Sequence, residues 1–187
     1  MRIISGTKKG HSIFSVKNND VRPISDKNRE TIFNILMHGK EIIETGFALE
    51  ECNVIDLFAG TGSFSFEALS RGASRATMIE NNNDVIDVIY KNAKKLNFVD
   101  RIKVNNQNAC SFESDEKKFD LAYVDPPYGK NLSKRAVGNL IKKDMLNQNA
   151  IVVLEEEVKS ENYNFNELEL IRIKKLGISK FSFLKLA

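Results

Sequence analysis

Histidine and cysteine are scarce, with two of each in 187 residues. His11 and His38 alone make a poor basis for a histidine-rich metal centre, so no metal is expected. Cys52 and Cys110 form no CxxC pair and no disulfide framework, which suits a reducing compartment. No apolar run approaches the ~20 residues that span a bilayer, and the first residues hold no apolar core of signal-peptide length. A cytoplasmic protein with no membrane partner is the expectation. Internal repeats and low-complexity tracts are also missing. No apolar seam for a dimer stands out, so a monomer is expected.

What is present is an ordinary globular composition, 42% hydrophobic and 28% charged, at a length that suits one domain with a small extension. The net charge of +3 is too small to prove a nucleic-acid partner, but its distribution is uneven. Residues 1–40 carry eight basic groups (Arg2, Lys8, Lys9, Lys17, Arg22, Lys27, Arg29, Lys40) against three acidic ones (Asp20, Asp26, Glu30), which leaves −2 for the rest. A basic N-terminal face for a polyanion is one reading, a solvated surface the other. Two short apolar stretches around Ser5-Gly6-Thr7-Lys8-Lys9-Gly10 predict a β-hairpin with lysines at its tip.

The most informative stretch is Val124-Asp125-Pro126-Pro127-Tyr128. Leu121 to Val124 read as a buried strand. Each proline fixes its own φ and biases its predecessor toward extended geometry. Asp125 and the Pro126 carbonyl would therefore stand as two acceptors at the carboxyl end of a strand, where open α/β sheets place ligands. Two acceptors beside an aromatic ring suit the amino group of a planar base.

Upstream, Val54–Phe58 reads as a strand, Ala59-Gly60-Thr61-Gly62 as a turn, and Ser63 as the start of a helix closed by Gly72. This unit cradles nucleotides in doubly wound sheets, but Ser65 stands where a dinucleotide fold has its third glycine. Asp56 before the turn would repel phosphate and tolerate a cation such as S-adenosylmethionine (AdoMet). Ala76–Glu80 predicts a second strand ending in a carboxylate placed for ribose hydroxyls. Arg101–Val104 predicts a third, followed by Asn108-Ala109-Cys110, and Phe119–Val124 a fourth. Helices are expected from an Asp26 N-cap to about His38, over 83–97, and over 133–146 through Met145. Ala150–Leu154 reads as a central strand. Leu168–Ile173 and Ile178–Leu186 form a terminal hairpin, which forces an antiparallel edge pairing.

In this order the motifs resemble the class I AdoMet-dependent methyltransferases. More narrowly they resemble the RsmD family, which methylates the exocyclic N2 of a guanine in small-subunit (16S) ribosomal RNA. The residues carrying the likeness are Arg2-Ile3-Ile4-Ser5-Gly6, Arg22-Pro23 with Asp26, Arg29-Glu30-Thr31, Asp56 to Gly62, Glu67 to Gly72, Glu80, Asn108-Ala109 and Asp125 to Tyr128. The resemblance implies a Rossmann-like α/β fold with a seven-stranded, mostly parallel sheet, an antiparallel C-terminal strand and an N-terminal β-hairpin extension. Residues 1–21 would be the extension and 22–187 the methyltransferase domain. It implies Asp56, Phe58, Gly60 and Gly62 at the methionine end of AdoMet, Glu80 on the ribose, Asn108 and Ala109 at adenine, and Arg29 near the cofactor. Asp125, Pro126, Pro127 and Tyr128 would hold the target base, with Lys8, Lys9 and Arg22 on 16S ribosomal RNA within a small-subunit particle. Ile24 and Ser25 depart from the family's usual pair of threonines. Competing readings are an amino methyltransferase acting on DNA adenine or protein glutamine, a non-catalytic AdoMet- or RNA-binding module, and a nicotinamide oxidoreductase.

Overall fold

The computed structural model describes residues 1–16, 24–115, 118–127, 132–160 and 165–187. Seven strands form one sheet: β1 Asn53–Leu57, β2 Arg75–Glu80, β3 Ile102–Asn106, β4 Phe119–Val124, β5 Leu146–Glu157, β6 Leu168–Leu176 and β7 Ser179–Leu186. Their order is β3-β2-β1-β4-β5-β7-β6. The first five are parallel, and β7 runs against both its neighbours. This is the Rossmann-like architecture expected, with the antiparallel strand at the C-terminus. The order reverses between β1 and β4, so the crevice for a ligand opens at their carboxyl ends.

Strand alternation sorts the apolar side chains into two cores. Leu121, Tyr123, Ile151 and Val153 point to the side covered by α1 (Asp26–His38), α3 (Ser63–Ser70) and α4 (Asn83–Leu96). Ala122, Val124, Val152 and Leu154 point to the side covered by α5 (Leu132–Lys142). A short helix α2 (Lys40–Ile43) occupies part of the expected connector. No helix among the described residues is long and apolar enough to cross a membrane.

Three local expectations shift. The α1 cap is Ser25, whose hydroxyl accepts from the Asn28 N–H at 3.1 Å, so Asp26 is the first helical residue instead. Helix α5 ends at Lys142, and Asp144 turns the chain at φ +52°. Met145 is thus buried from a turn, and β5 begins at Leu146, four residues earlier than the apolar run suggested. Periodicity could not separate a buried turn residue from a further helical one. The C-terminal hairpin closes over Gly177-Ile178, with Gly177 at φ +61°, rather than around Lys174–Gly177.

The N-terminal segment folds back on itself around a 3-10 turn at Gly6–Lys8, with an antiparallel bridge between Arg2 and Ser12. The Ile3 N–H donates to the His11 carbonyl at 2.9 Å, the Gly10 N–H to the Ile3 carbonyl at 2.9 Å and the Ile13 N–H to the Met1 carbonyl at 3.1 Å. It is an arch docked on α3. The Ile4 and Ser5 N–H groups donate to the Glu67 carboxylate at 2.8 and 3.0 Å, and the Lys8 N–H to Ser70 Oγ at 2.9 Å. Gly6, at φ +78°, lies so close that a Cβ would fall 1.8 Å from the Ser70 carbonyl oxygen. Ile3 and Ile13 join the main core, so the arch is packed into the domain. The expected boundary at 21/22 lies outside the described residues.

Candidate active site

At the end of β1 the chain turns sharply. Phe58 has φ +66°, Gly60 +54° and Gly62 +78°. A left-handed phenylalanine costs about 1–2 kcal/mol, and strain of this kind gathers at ligand sites. Gly62 has no room for a side chain, since a Cβ would lie 2.7 Å from the Phe66 ring. The turn is held from β2. The Gly60 N–H donates to Glu80 Oε2 at 3.0 Å, while Glu80 Oε1 accepts from the Asn81 and Asn82 N–H groups at 2.9 and 3.0 Å. Four lone-pair sites serve three donors, so capacity for a hydroxyl remains.

The register explains what gathers beside the turn. Asp56 pairs with Met78 on β2 and Tyr123 on β4, and Tyr123 with Val153 on β5. Paired residues share a face, and so do residues two apart along a strand. Asp56, Glu80, Tyr123, Asp125 and Glu155 therefore all face the α3 side at the carboxyl ends of four adjacent strands.

Asp56 is 1% exposed, and its Oδ2 accepts from Ser65 Oγ at 2.7 Å. Burial, with a smaller push from Glu80, raises its carboxyl to about 7 despite the Ser65 hydrogen bonds, which act the other way. Asp125 keeps a partly exposed surface at the mouth, yet its carboxyl is raised well above the ordinary value. Burial is the main cause, followed by the charges of Glu155 and Asp56. The Asp125 N–H reaches the Leu57 carbonyl at 3.4 Å, which ties the motif directly to the end of β1. The Tyr123 ring stacks on Phe64 with centroids 3.9 Å apart, and its hydroxyl donates to Glu155 Oε2 at 2.5 Å. Burial first, then the surrounding carboxylates, raise the phenol, so it stays a proton donor to Glu155.

Pro126 is buried and Pro127 exposed behind Asp125. Asn108 is exposed, and its Oδ1 accepts from the Cys110 N–H at 2.8 Å, closing a local turn that presents buried Ala109 beyond β3. Lys9 is exposed, and the Lys8 ammonium lies 5.6 Å from the centre of the Phe98 ring. Tyr128 and Arg22 lie outside the described residues.

Arg29 has no exposed surface. Its guanidinium donates to the Arg2 carbonyl at 2.5 Å and to Asp26 Oδ1 at 2.9 Å, and Nε lies 3.6 Å from Glu67 Oε2. Glu67 is also fully buried and accepts from Arg71 Nε at 2.6 Å. Arg29 thus joins the arch, α1 and α3, and any influence on the strand ends passes through α3. Sequence reasoning also missed Glu155 and Tyr123. Glu155 and Glu156, which follow the apolar run of β5, are each 5% exposed. A groove of about 470 Å³, lined by Phe47, Glu50, Cys52, Asp120 and Asn147, lies at the amino ends of β1, β4 and β5, the opposite end of the sheet.

The family model described as conserved hypothetical protein 95 matches residues 1–185. The chain belongs to this family, the RsmD family. Ribosomal RNA small subunit methyltransferase D of Haemophilus influenzae is 30% identical over 97% of the chain and 91% of its own length. The Escherichia coli protein of the same name is 31% identical over 86% and 76%. Among solved structures, the candidate methyltransferase yhhF of Escherichia coli superposes with a TM-score of 0.84 at 28% identity, covering 100% of this chain and 98% of its own. In this RsmD-family chain, no cation among the described residues acts on Asp56 or Asp125. Burial and the charges of Glu155 and Asp56 make Asp125 costly to ionise, and a cation bound beside it would lower that cost.

Proposed function

We propose that the chain transfers a methyl group from AdoMet to the exocyclic N2 amine of a guanine in 16S ribosomal RNA. The reading rests on one observation: Asp125, followed by two prolines, is tied by its N–H to the end of β1 beside the glycine turn, where the charges of Glu155 and Asp56 act on its carboxyl. The names of the relatives in Haemophilus influenzae and Escherichia coli support the substrate class.

The residues fit AdoMet. Asp56 and the turn from Phe58 to Gly62 would hold its charged methionine end, Glu80 the ribose hydroxyls, and Asn108 with Ala109 the adenine. Bound there, it supplies an electrophilic methyl on a positively charged sulfur. The chain's own residues then act on the base. The lone pair of a guanine amine is spread into the ring, which makes it a poor nucleophile. Asp125 and the Pro126 carbonyl accept its two N–H groups and favour a pyramidal nitrogen with an aimed lone pair. A cation beside Asp125 returns its carboxyl to the ionised, fully accepting form. Tyr128 would stack on the base once it is turned out of its helix or loop. Positioning and electrostatics carry the rate, since the nitrogen becomes acidic once alkylated. The proposal takes the enzyme as a metal-free cytoplasmic monomer, with Lys8, Lys9 and Arg22 on the RNA backbone.

Labelled methyl donor added to unmethylated small-subunit particles, free ribosomal RNA and DNA tests the reading. Label on one guanine amine of the small-subunit RNA is expected, and label on DNA or protein alone would overturn it. Asp125→Ala should still bind AdoMet, with an affinity that calorimetry compares with wild type, yet lose turnover by several orders of magnitude.

A further inference from the structure

Phe14 is 51% exposed. A single exposed aromatic is ordinary, but the way this one is held is not. Asn92 on α4 has no exposed surface, and it uses both ends of its amide on the backbone of Phe14. Its Oδ1 accepts from the Phe14 N–H at 2.7 Å, and its Nδ2 donates to the Phe14 carbonyl at 3.1 Å. The same nitrogen donates at 3.1 Å to the carbonyl of Thr61, inside the glycine turn. A buried amide must be satisfied, and this one is satisfied by fixing the backbone of an exposed residue against the glycine turn. The backbone of Phe14 is therefore fixed beside the glycine turn, and its ring projects from that anchored point.

The surroundings of the ring are equally specific. The Lys95 ammonium lies 4.8 Å from the ring centre and donates to Ser12 Oγ at 2.7 Å. Phe14 still keeps half its surface open with that lysine in place. An aromatic face beside an ammonium is the pairing that takes an unpaired nucleotide: the base stacks on the ring, and the cation meets its phosphate.

We infer that Phe14 and Lys95 form a stacking ledge for an unpaired base of the RNA substrate, adjacent to the nucleotide being modified. The inference rests on the proposed RNA substrate and adds to it a second base contact. Asn92 is the positioning residue that locks the ledge to the glycine turn.

The chain contains no tryptophan, so F14W introduces a single fluorescent reporter. Unmethylated small-subunit ribosomal RNA should quench its emission, with RNA affinity within about twofold of wild type. Phe14→Leu keeps an apolar side chain of similar reach but no aromatic face. It should weaken RNA binding by about tenfold, the range expected for one stacked base, and leave AdoMet binding unchanged in calorimetry. Phe14→Tyr should restore RNA affinity. An unquenched F14W bound to RNA, or Phe14→Leu binding RNA as tightly as wild type, would overturn the ledge. Methyl transfer by the wild type is scored separately. Quenching by small-subunit RNA, with no methyl transfer to that RNA either free or in the particle, would sink the proposed reaction and uphold the ledge.

Discussion

The buried carboxyl of Asp56 makes AdoMet binding a matter of pH. The group is raised to about 7 in the ligand-free protein, and a cation should prefer its ionised form. If only that form binds, the apparent dissociation constant scales as one plus ten to the power of pKa minus pH. Between pH 7.5 and pH 6 the affinity then falls roughly eightfold on account of Asp56 alone. Asp125 adds its own dependence, and so does the ligand's amino group. Measured with Asp125→Asn in both proteins, the ratio of dissociation constants with and without Asp56→Asn removes the first dependence and cancels the second. Asparagine can still accept the Ser65 hydroxyl, so the local geometry should survive. That ratio, measured by calorimetry, should shrink about eightfold on going from pH 7.5 to pH 6, because only the protein that keeps Asp56 loses affinity through this group. Stability should move the opposite way. A folded pKa above the unfolded value means that the contribution of Asp56 is complete below the unfolded pKa of 3.8 and is lost as pH rises through about 7. The loss is on the order of 4 kcal/mol. Ligand-free Asp56→Asn should accordingly melt higher than wild type at pH 8 while binding AdoMet more weakly. A dissociation-constant ratio that stays flat with pH would refute the assignment of Asp56 to the cation.

Three further outcomes follow from the same geometry. Glu80→Ala removes the partner of the Gly60 N–H and the proposed ribose acceptor, so calorimetry should show AdoMet affinity lowered by about tenfold or more, a hydrogen bond to a charged group being worth about 1.5–3 kcal/mol; unchanged affinity would contradict the ribose role. Glu67→Ala strands the buried Arg29 guanidinium, and a urea titration should show about 3–5 kcal/mol of lost stability. Gly62→Ala drives a methyl group into Phe66 at a left-handed φ, so it should lower the melting temperature and weaken AdoMet binding together.

Much of the fold was legible because period and punctuation agree. Phe119–Val124 was read to the residue, and Gly39, Gly72 and Asn97 stand where their helices stop. The order of motifs along the chain also placed Asp56, Glu80 and Asp125 at strand ends. The register was not legible. That Asp56, Tyr123 and Val153 lie side by side is a property of three separated strands, and it alone brings Glu155 to Tyr123. A glutamate following an apolar run has no local sign that says it is buried. Met145 failed for a related reason: burial was correct, but a turn can bury a side chain as well as a helix can.

Arg29 shows the limit from the other side. The resemblance placed it near the cofactor, and in the structure its partners are the Arg2 carbonyl, Asp26 and Glu67. Its guanidinium and that of Arg71 converge on Glu67, which also receives the backbone of the arch at Ile4 and Ser5. Glu67 lies one helical turn after Ser63, where α3 leaves the glycine turn. Helices do not compress, so fixing Glu67 fixes the start of α3 and with it Ser65 against Asp56. The cationic network and the carboxylate ring therefore occupy neighbouring stretches of the same helix and serve opposite ends. One satisfies its charges within the protein and holds the frame still. The other gathers carboxyls whose charges, with burial, hold the Asp125 carboxyl well above its ordinary value, and a cationic ligand would relieve that crowding.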